Sequence, residues 1–125
     1  MTYKFQKSPV VFRSPNIDFL ATGTTVVFTP DADFIVTQVI FYGVDVTDLT
    51  VPPVVTFGTN SPDFDNWAPI GSSITATGDI QGVSTVSTPG PWILSGGSAL
   101  TANVTGVATA TTDTQRIDFI GYYLN

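Results

Sequence analysis

Residues 34–42 read FIVTQVIFY, and this stretch decides the fold class of the 125-residue chain. Its β-branched and aromatic residues favour a β-strand. Successive side chains of a strand point to opposite faces, so the stretch divides into two sets: Phe34, Val36, Gln38, Ile40 and Tyr42, and Ile35, Thr37, Val39 and Phe41. Both sets are largely apolar and both faces must be covered. The stretch therefore predicts a strand packed between layers of a two-sheet protein.

The rest of the chain repeats the same signal, because short apolar runs with period two alternate with Gly, Pro, Asn and Asp. Helical periodicity is nowhere sustained. We expect strands at about residues 3–6, 9–13, 17–20, 24–29, 34–42, 53–58, 72–77, 83–88, 91–95, 99–106 and 115–124. This spacing predicts an all-β, antiparallel sandwich or barrel of a single domain. Residues 24–125 would form the sandwich, and residues 1–23 an amino-terminal basic arm or edge strands.

The chemistry that the chain lacks limits its function, because it contains no His, no Cys and no Glu. General acid/base catalysis near neutral pH usually needs such groups. The pairs Asp31/Asp33 and Asp45/Asp48 would offer two carboxylates for glycoside hydrolysis, but Asp in such positions more often forms turns. We therefore predict a protein that is not an enzyme and that needs no cofactor.

Charge is distributed unevenly along the chain. Lys4, Lys7 and Arg13 give the first 13 residues a charge of +3, whereas residues 14–125 carry −9, for a net charge of −6. The basic segment is a candidate partner-binding arm for an acidic surface of a partner or neighbouring subunit. It equally fits an edge strand protected by Lys. The isoelectric point near 4.1 argues against a nucleic-acid partner, and no apolar run is long enough to span a membrane.

Two groups of residues suggest ligands. Asp63, Asp65 and Asn66 place three oxygen-bearing side chains in one loop, which suits Ca²⁺, although Asx-turns explain the same pattern more simply. Several aromatic residues would give a stacking platform for a surface glycan, although core or interface packing fits them better: Trp67, Trp92, Tyr42, Tyr122 and Tyr123. Of the two tryptophans, Trp67 is the better candidate for exposure, because Trp92 lies in an apolar run. The sequon at Asn103 matters only in a eukaryotic secretory setting.

Two motifs carry a family resemblance. Residues 53–67 read PVVTFGTNSPDFDNW and residues 118–124 read DFIGYYL. They resemble motifs of small bacteriophage virion proteins, in which a V-x-hydrophobic-G-T strand precedes an N-S-P-x-aromatic-x-N loop and the final strand ends in I-G-Y-Y-L. The resemblance is loose over residues 24–125 and does not extend to residues 1–23.

The resemblance implies a jelly-roll β-sandwich that assembles as a homotrimer on the capsid surface of a phage virion. Such proteins serve as capsid decoration (cement) proteins that bind the major capsid protein, or as fibre or spike domains that bind a receptor; a carbohydrate-binding module is a third interpretation. The apolar end of the chain, with Tyr122, Tyr123 and Leu124, is the candidate oligomer interface.

Overall fold

The computed structural model describes residues 8–67, 69–85 and 92–124. These residues form ten strands and no helix, as follows: β1 (Val10–Arg13), β2 (Ile17–Asp18), β3 (Gly23–Phe28), β4 (Phe34–Thr47), β5 (Val54–Gly58), β6 (Ile70–Gly71), β7 (Ile80–Ser84), β8 (Trp92–Leu94), β9 (Leu100–Gly106) and β10 (Thr112–Tyr123). The described residues contain no helix long and apolar enough to cross a membrane. The predicted all-β class is confirmed.

The strands form two antiparallel sheets. The larger sheet has the order β1-β10-β4-β7, with β2 also paired to β10 and β8 to β4; the smaller sheet has the order β3-β9-β5-β6. Four antiparallel pairs are nested in sequence, namely β1 with β10, β3 with β9, β4 with β7 and β5 with β6. Nested pairs divided between two sheets define a jelly roll, so the expected jelly-roll sandwich is confirmed.

The core lies between the sheets and is dominated by phenylalanine. Phe34 and Phe41 on β4, Phe119 on β10 and Phe57 on β5 are all fully buried. The rings of Phe57 and Phe119 meet edge to face with centroids 5.5 Å apart, which joins the smaller sheet to the larger one. Such ring pairs add to the free energy gained from burying apolar surface.

A bulge in β4 changes the predicted faces of residues 34–42. Ile120 on β10 pairs with Gln38 and the next residue, Gly121, pairs with Val36, so Thr37 is the extra residue. The Thr37 hydroxyl donates to the carbonyl of Ile120 over 3.2 Å. An extra residue reverses the alternation beyond it. The inward set is therefore Phe34, Val36, Val39 and Phe41, and the two sets expected from strict alternation are wrong.

Residues 72–77 do not form the expected strand; they belong to the loop between β6 and β7. The backbone amides of Thr75 and Ala76 donate to the carboxylate of Asp79 over 3.1 Å. Side chains that satisfy nearby amides compete with strand pairing. Ser72 and Ile74 are nevertheless buried, at alternating positions of this loop.

Other boundaries shift less. The strands β4 and β10 extend to Thr47 and back to Thr112 because they pair with each other along their whole length, from Thr112 with Thr47 to Tyr123 with Phe34. This also shortens the gap between the expected strands at residues 34–42 and 53–58. The expected strand at residues 3–6 and the second half of the one at 83–88 lie outside the described residues.

Candidate functional site

The amino-terminal segment enters the larger sheet at residue 10. Lys4 and Lys7 lie outside the described residues, and Arg13 ends β1 at the edge of the sheet. Its Nε lies 3.6 Å from a carboxylate oxygen of Asp118, and Arg116 approaches the other oxygen at 3.2 Å. Arg116 also covers the ring of Tyr42, 4.9 Å from the centroid. The outer face of the larger sheet therefore carries both arginines of the chain around one carboxylate.

The candidate interface residues at the end of the chain have different environments. Leu124 is only 8% exposed within the single chain, and its amide donates to the carbonyl of Asp33 over 2.9 Å. Tyr123 is half-buried, with its ring edge to face with Phe34. Tyr122 is half-buried and pairs with Ile35. Only the tyrosines therefore retain exposed surface for another subunit.

The candidate metal ligands form a hydrogen-bonded loop over residues 59–66. The Asn66 Oδ1 accepts from the backbone amide of Thr59 over 2.5 Å, and the Asp65 Oδ1 accepts from the side chain of Asn60 over 2.6 Å. The carbonyl of Asp63 accepts from the side chain of Asn103 over 3.0 Å. Within residues 8–67, 69–85 and 92–124, no group of three or more His, Cys, Asp or Glu side chains could hold a metal ion. The oxygens of Asp65 and Asn66 stabilise the loop, as in the Asx-turn interpretation.

The same loop covers part of the smaller sheet. Asn103 lies between the inward residues Ala102 and Val104 of β9, so its side chain is on the outer face of the sheet. Gly58 lets the loop approach closely, because a Cβ there would lie 2.6 Å from the carbonyl carbon of Phe64. The chain thus places its own loop against the outer face of the smaller sheet.

The structure separates the aromatic residues that a glycan platform would need. Trp67 and Trp92 stack on each other with centroids 5.0 Å apart, and Trp92 is 2% exposed. Trp67 is half-buried, so the expectation of an exposed Trp67 is met only in part. Tyr42 lies under Arg116 on the outer face of the larger sheet. These rings do not form one platform.

Three of the four aspartates considered as glycosidase pairs accept hydrogen bonds that hold the fold together. Asp33 Oδ1 accepts from the amide of Gly96 over 3.0 Å, and Asp45 Oδ1 accepts from the hydroxyl of Thr112 over 3.0 Å. Asp48 Oδ2 accepts from the hydroxyl of Thr111 over 3.1 Å. These bonds fix the ends of β4 and β10.

A buried polar network between the sheets was missed by the sequence reasoning. Asp113 on β10 is 1% exposed; its Oδ1 accepts from Gln115 over 2.9 Å, and the Gln115 Oε1 accepts from Ser72 over 3.0 Å. The Asp113 Oδ2 is buried without a hydrogen-bond partner. Burial raises the pKa of the Asp113 carboxyl, and the charge of Asp18 raises it further, against the bond from Gln115. Alternation along residues 113–119 places Asp113 and Gln115 on the same face as Ile117 and Phe119, which was the available signal.

A groove of about 220 Å³ was also missed. It lies where the edge of the larger sheet meets the edge of the smaller one, lined by Asn16–Asp18, Ala21–Thr25 and Val104. Ile17 and Val104 are buried and form an apolar floor, whereas Asp18 and the threonines give a polar rim. The groove contains one carboxylate and no cation. Its residues do not provide an acid/base pair for catalysis.

Comparisons with known proteins give structural matches only. No protein-family model matches the sequence, and no curated protein matches it. The fold is similar to a chain in the acidic stable capsid structure of Helicobacter pylori bacteriophage KHP30, with a TM-score of 0.64, 10% identity and coverage of 99% of this chain and 95% of that chain. It is also similar to a chain of the cyanophage Pam1 capsid asymmetric unit, with a TM-score of 0.59, 16% identity and coverage of 92% and 84%. The resemblance to phage virion proteins is thus confirmed at the level of the fold.

Proposed function

We propose that this chain is a structural protein of a bacteriophage virion and is located in the capsid. The observation that carries the proposal is the shared jelly-roll fold, which spans almost the whole of this chain and of the KHP30 capsid chain. The site chemistry agrees, because three of the four aspartates considered for catalysis, Asp33, Asp45 and Asp48, accept hydrogen bonds from threonine hydroxyls or a backbone amide. The chain acts by binding other proteins and not as an enzyme.

Within the capsid, we propose the role of a decoration protein that binds the major capsid protein as a homotrimer. Exposed apolar residues on the outer face of the larger sheet support self-association, since Val11, Ile80 and Ile93 are 51%, 67% and 40% exposed. Tyr122 and Tyr123 would contact a neighbour, while Leu124 would hold the end of β10 from inside. Lys4, Lys7 and Arg13 would supply positive charge for an acidic surface of the major capsid protein or of a neighbouring copy.

The copy number per virion tests the role. Quantitative mass spectrometry of purified virions that carry this protein should give hundreds of copies, as expected for a component that decorates the lattice. A few dozen copies or fewer would instead indicate the fibre or spike role. Absence from the virion would refute the structural role altogether.

Light scattering tests the oligomer. The wild-type protein should scatter as a trimer of the 13.2 kDa chain at micromolar concentration. Tyr122→Asp should give monomeric or insoluble protein, because it places a carboxylate into the packed end of β10. The matched control is Thr105→Asp on an exposed position of β9, which should remain trimeric. A wild-type monomer would refute the trimer without bearing on the location in the virion.

A further inference from the structure

Two sheet edges longer than four residues, those of β3 and β7, contain no charge and no proline, and of the two only β3 lines the groove. Residues 23–28 contain no charge and no proline, and β3 pairs only with β9 among the described strands. The opposite edge of the same sheet, β6, has only two residues and follows Pro69. Natural sheets usually protect an edge by charge, proline, a β-bulge or shortness, because an unprotected edge pairs with further strands. The strand β3 has a bulge at Val27, so its regular edge is residues 23–26. The β3 edge therefore fits the addition of an extended segment.

The groove beside β3 defines what such a segment must be. It has an apolar floor formed by Ile17 and Val104 and an acidic rim at Asp18. Residues 1–7 read MTYKFQK and match both properties. If they are extended, Tyr3 and Phe5 share one face, and Lys4 and Lys7 supply charge opposite to that of Asp18.

The arm of the same chain is too short to turn back to this groove and also pair along β3. Val10 and Ile17 pair with β10 at Gly121 and Gln115, and six residues of strand separate these positions by about 20 Å. Because β1 runs from Val10 toward the groove, Val10 lies at the end of the strand that is farther from the groove. Seven extended residues span at most about 24 Å, which is too short to turn back and also pair along β3. A second copy has no such restriction.

We propose that residues 1–7 of one copy pair with the β3 edge of a second copy and lie in the groove between Asp18 and Thr25. Each copy donates its arm to the next, so the contact is heterologous and closes as a ring when the rotation permits. This inference rests on the proposed assembly of identical copies. It identifies the acidic surface that the basic arm binds as the groove at Asp18 of a neighbouring copy.

Disulfide trapping tests the contact directly, because the chain contains no Cys and each introduced pair is therefore the only one. The full-length double variants Phe5→Cys/Thr24→Cys and Gln6→Cys/Thr24→Cys should form covalent multimers of the 13.2 kDa chain on oxidation. The matched control carries Thr75→Cys, an exposed position on the β6–β7 loop, in place of Thr24→Cys. The proposal would be overturned if the Thr75→Cys control were trapped as efficiently as the Thr24→Cys variants. It would also be overturned if disulfides formed only within single chains, or if none formed.

Charge reversal provides a second measurement that does not depend on a disulfide. Asp18→Lys alone, or Lys4→Asp with Lys7→Asp, should weaken self-association about tenfold in sedimentation equilibrium, the equivalent of roughly 1.4 kcal/mol. All three substitutions in one chain should restore it, whereas mixing the two variant proteins should restore it only in part, because a ring of three cannot alternate two variants throughout. The proposed contact would be overturned if neither the Asp18 variant nor the Lys4/Lys7 variant weakened self-association. It would also be overturned if the triple variant associated no more tightly than these two. These measurements do not bear on the copy number in virions. Failure of the arm contact can therefore be distinguished from failure of the proposed virion role.

Discussion

The two ends of the sandwich are both well buried, but their interiors are built from different chemistry. At one end, Phe34 lies against three rings: its centroid is 5.2 Å from Phe12, 5.8 Å from Phe28 and 5.1 Å from Tyr123. We call this the aromatic end. At the other end, hereafter the polar end, a hydrogen-bond chain runs from Asp113 through Gln115 to Ser72.

The strand β10 contributes to both ends, and its two parts are stabilised by different interactions. The aromatic end gains free energy from non-directional burial, so every ring contact is favourable. The polar end contains groups that are costly to bury unless each has a partner, and Asp113 Oδ2 has none. We therefore expect substitutions to lower stability at the aromatic end and, at Asp113, to raise it.

Phe34→Ala should have the largest effect. It removes a fully buried ring and leaves a cavity among Phe12, Phe28 and Tyr123. Such changes lower the free energy of unfolding by about 3–5 kcal/mol, which chemical denaturation measures. Phe34→Leu, which retains most of the apolar volume, is the matched control and should lose much less. Equal losses in the two variants would contradict the packing explanation.

Gly121→Ala at the same end should cost somewhat less. A Cβ at this position would clash with the carbonyl oxygen of Ile35 and lie 2.7 Å from Cε1 of Phe34. Because the first contact is backbone of the paired strand β4, it relaxes poorly, and overpacking typically costs 1–3 kcal/mol. Gly71→Ala, with open space around its position, serves as control. A variant as stable as wild type would show that β4 and β10 separate easily there.

Asp113→Asn should raise stability at pH 7 by on the order of 1 kcal/mol, because an unpaired charge costs more to bury than a neutral amide. The folded-state pKa of Asp113 lies above the ordinary value of 3.8. The stability that this group contributes is thus complete below pH 3.8 and is lost as the pH rises through the folded-state pKa. Denaturation curves between pH 4 and 7 should show the advantage of the variant shrinking toward acid. An advantage independent of pH would contradict the titration of Asp113.

Asp79→Asn should have the smallest effect and the opposite sign. Hydrogen bonds from the backbone and hydroxyl of Thr75 lower the pKa of Asp79 below 3.8, despite slight desolvation. Its contribution is therefore present above pH 3.8 and lost as the pH falls through the lower folded-state pKa. The variant should melt slightly below wild type at pH 7 and match it in strong acid. Ser73→Ala, at an exposed position of the same loop, leaves the bonds to Asp79 in place and controls for general changes to the loop.

The sequence predicted the sandwich because apolar alternation reports burial, and most strands lie within a few residues of their expected places. It did not predict the bulge at Thr37, which depends on the register against Ile120 and Gly121 across the sheet. The alternation in residues 72–77 wrongly predicted a strand. Ser72 is buried because its hydroxyl donates to Gln115, which is distant in sequence and gave no local signal.

The candidate sites were predicted less well than the fold. The Asp- and Asn-rich loop was identified as a structural turn, since such side chains bind nearby amides. Leu124 was expected at an interface but is inside, because an apolar terminal strand is equally suited to a core. The groove at Asp18 and Thr25 had no local signal, since its walls come from two sheets.

The pairing of β1 with β10 has a consequence for biosynthesis. Val10 and its partner Gly121 are 111 positions apart, and β10 is the strand between β1 and β4 in the larger sheet. During translation, β1 and β4 emerge from the ribosome long before the strand that joins them. The nascent polypeptide therefore exposes unpaired strands until β10 is made, and contacts between such distant residues form slowly. A chaperone that holds the incomplete chain should improve the yield of soluble protein more than one that acts after release.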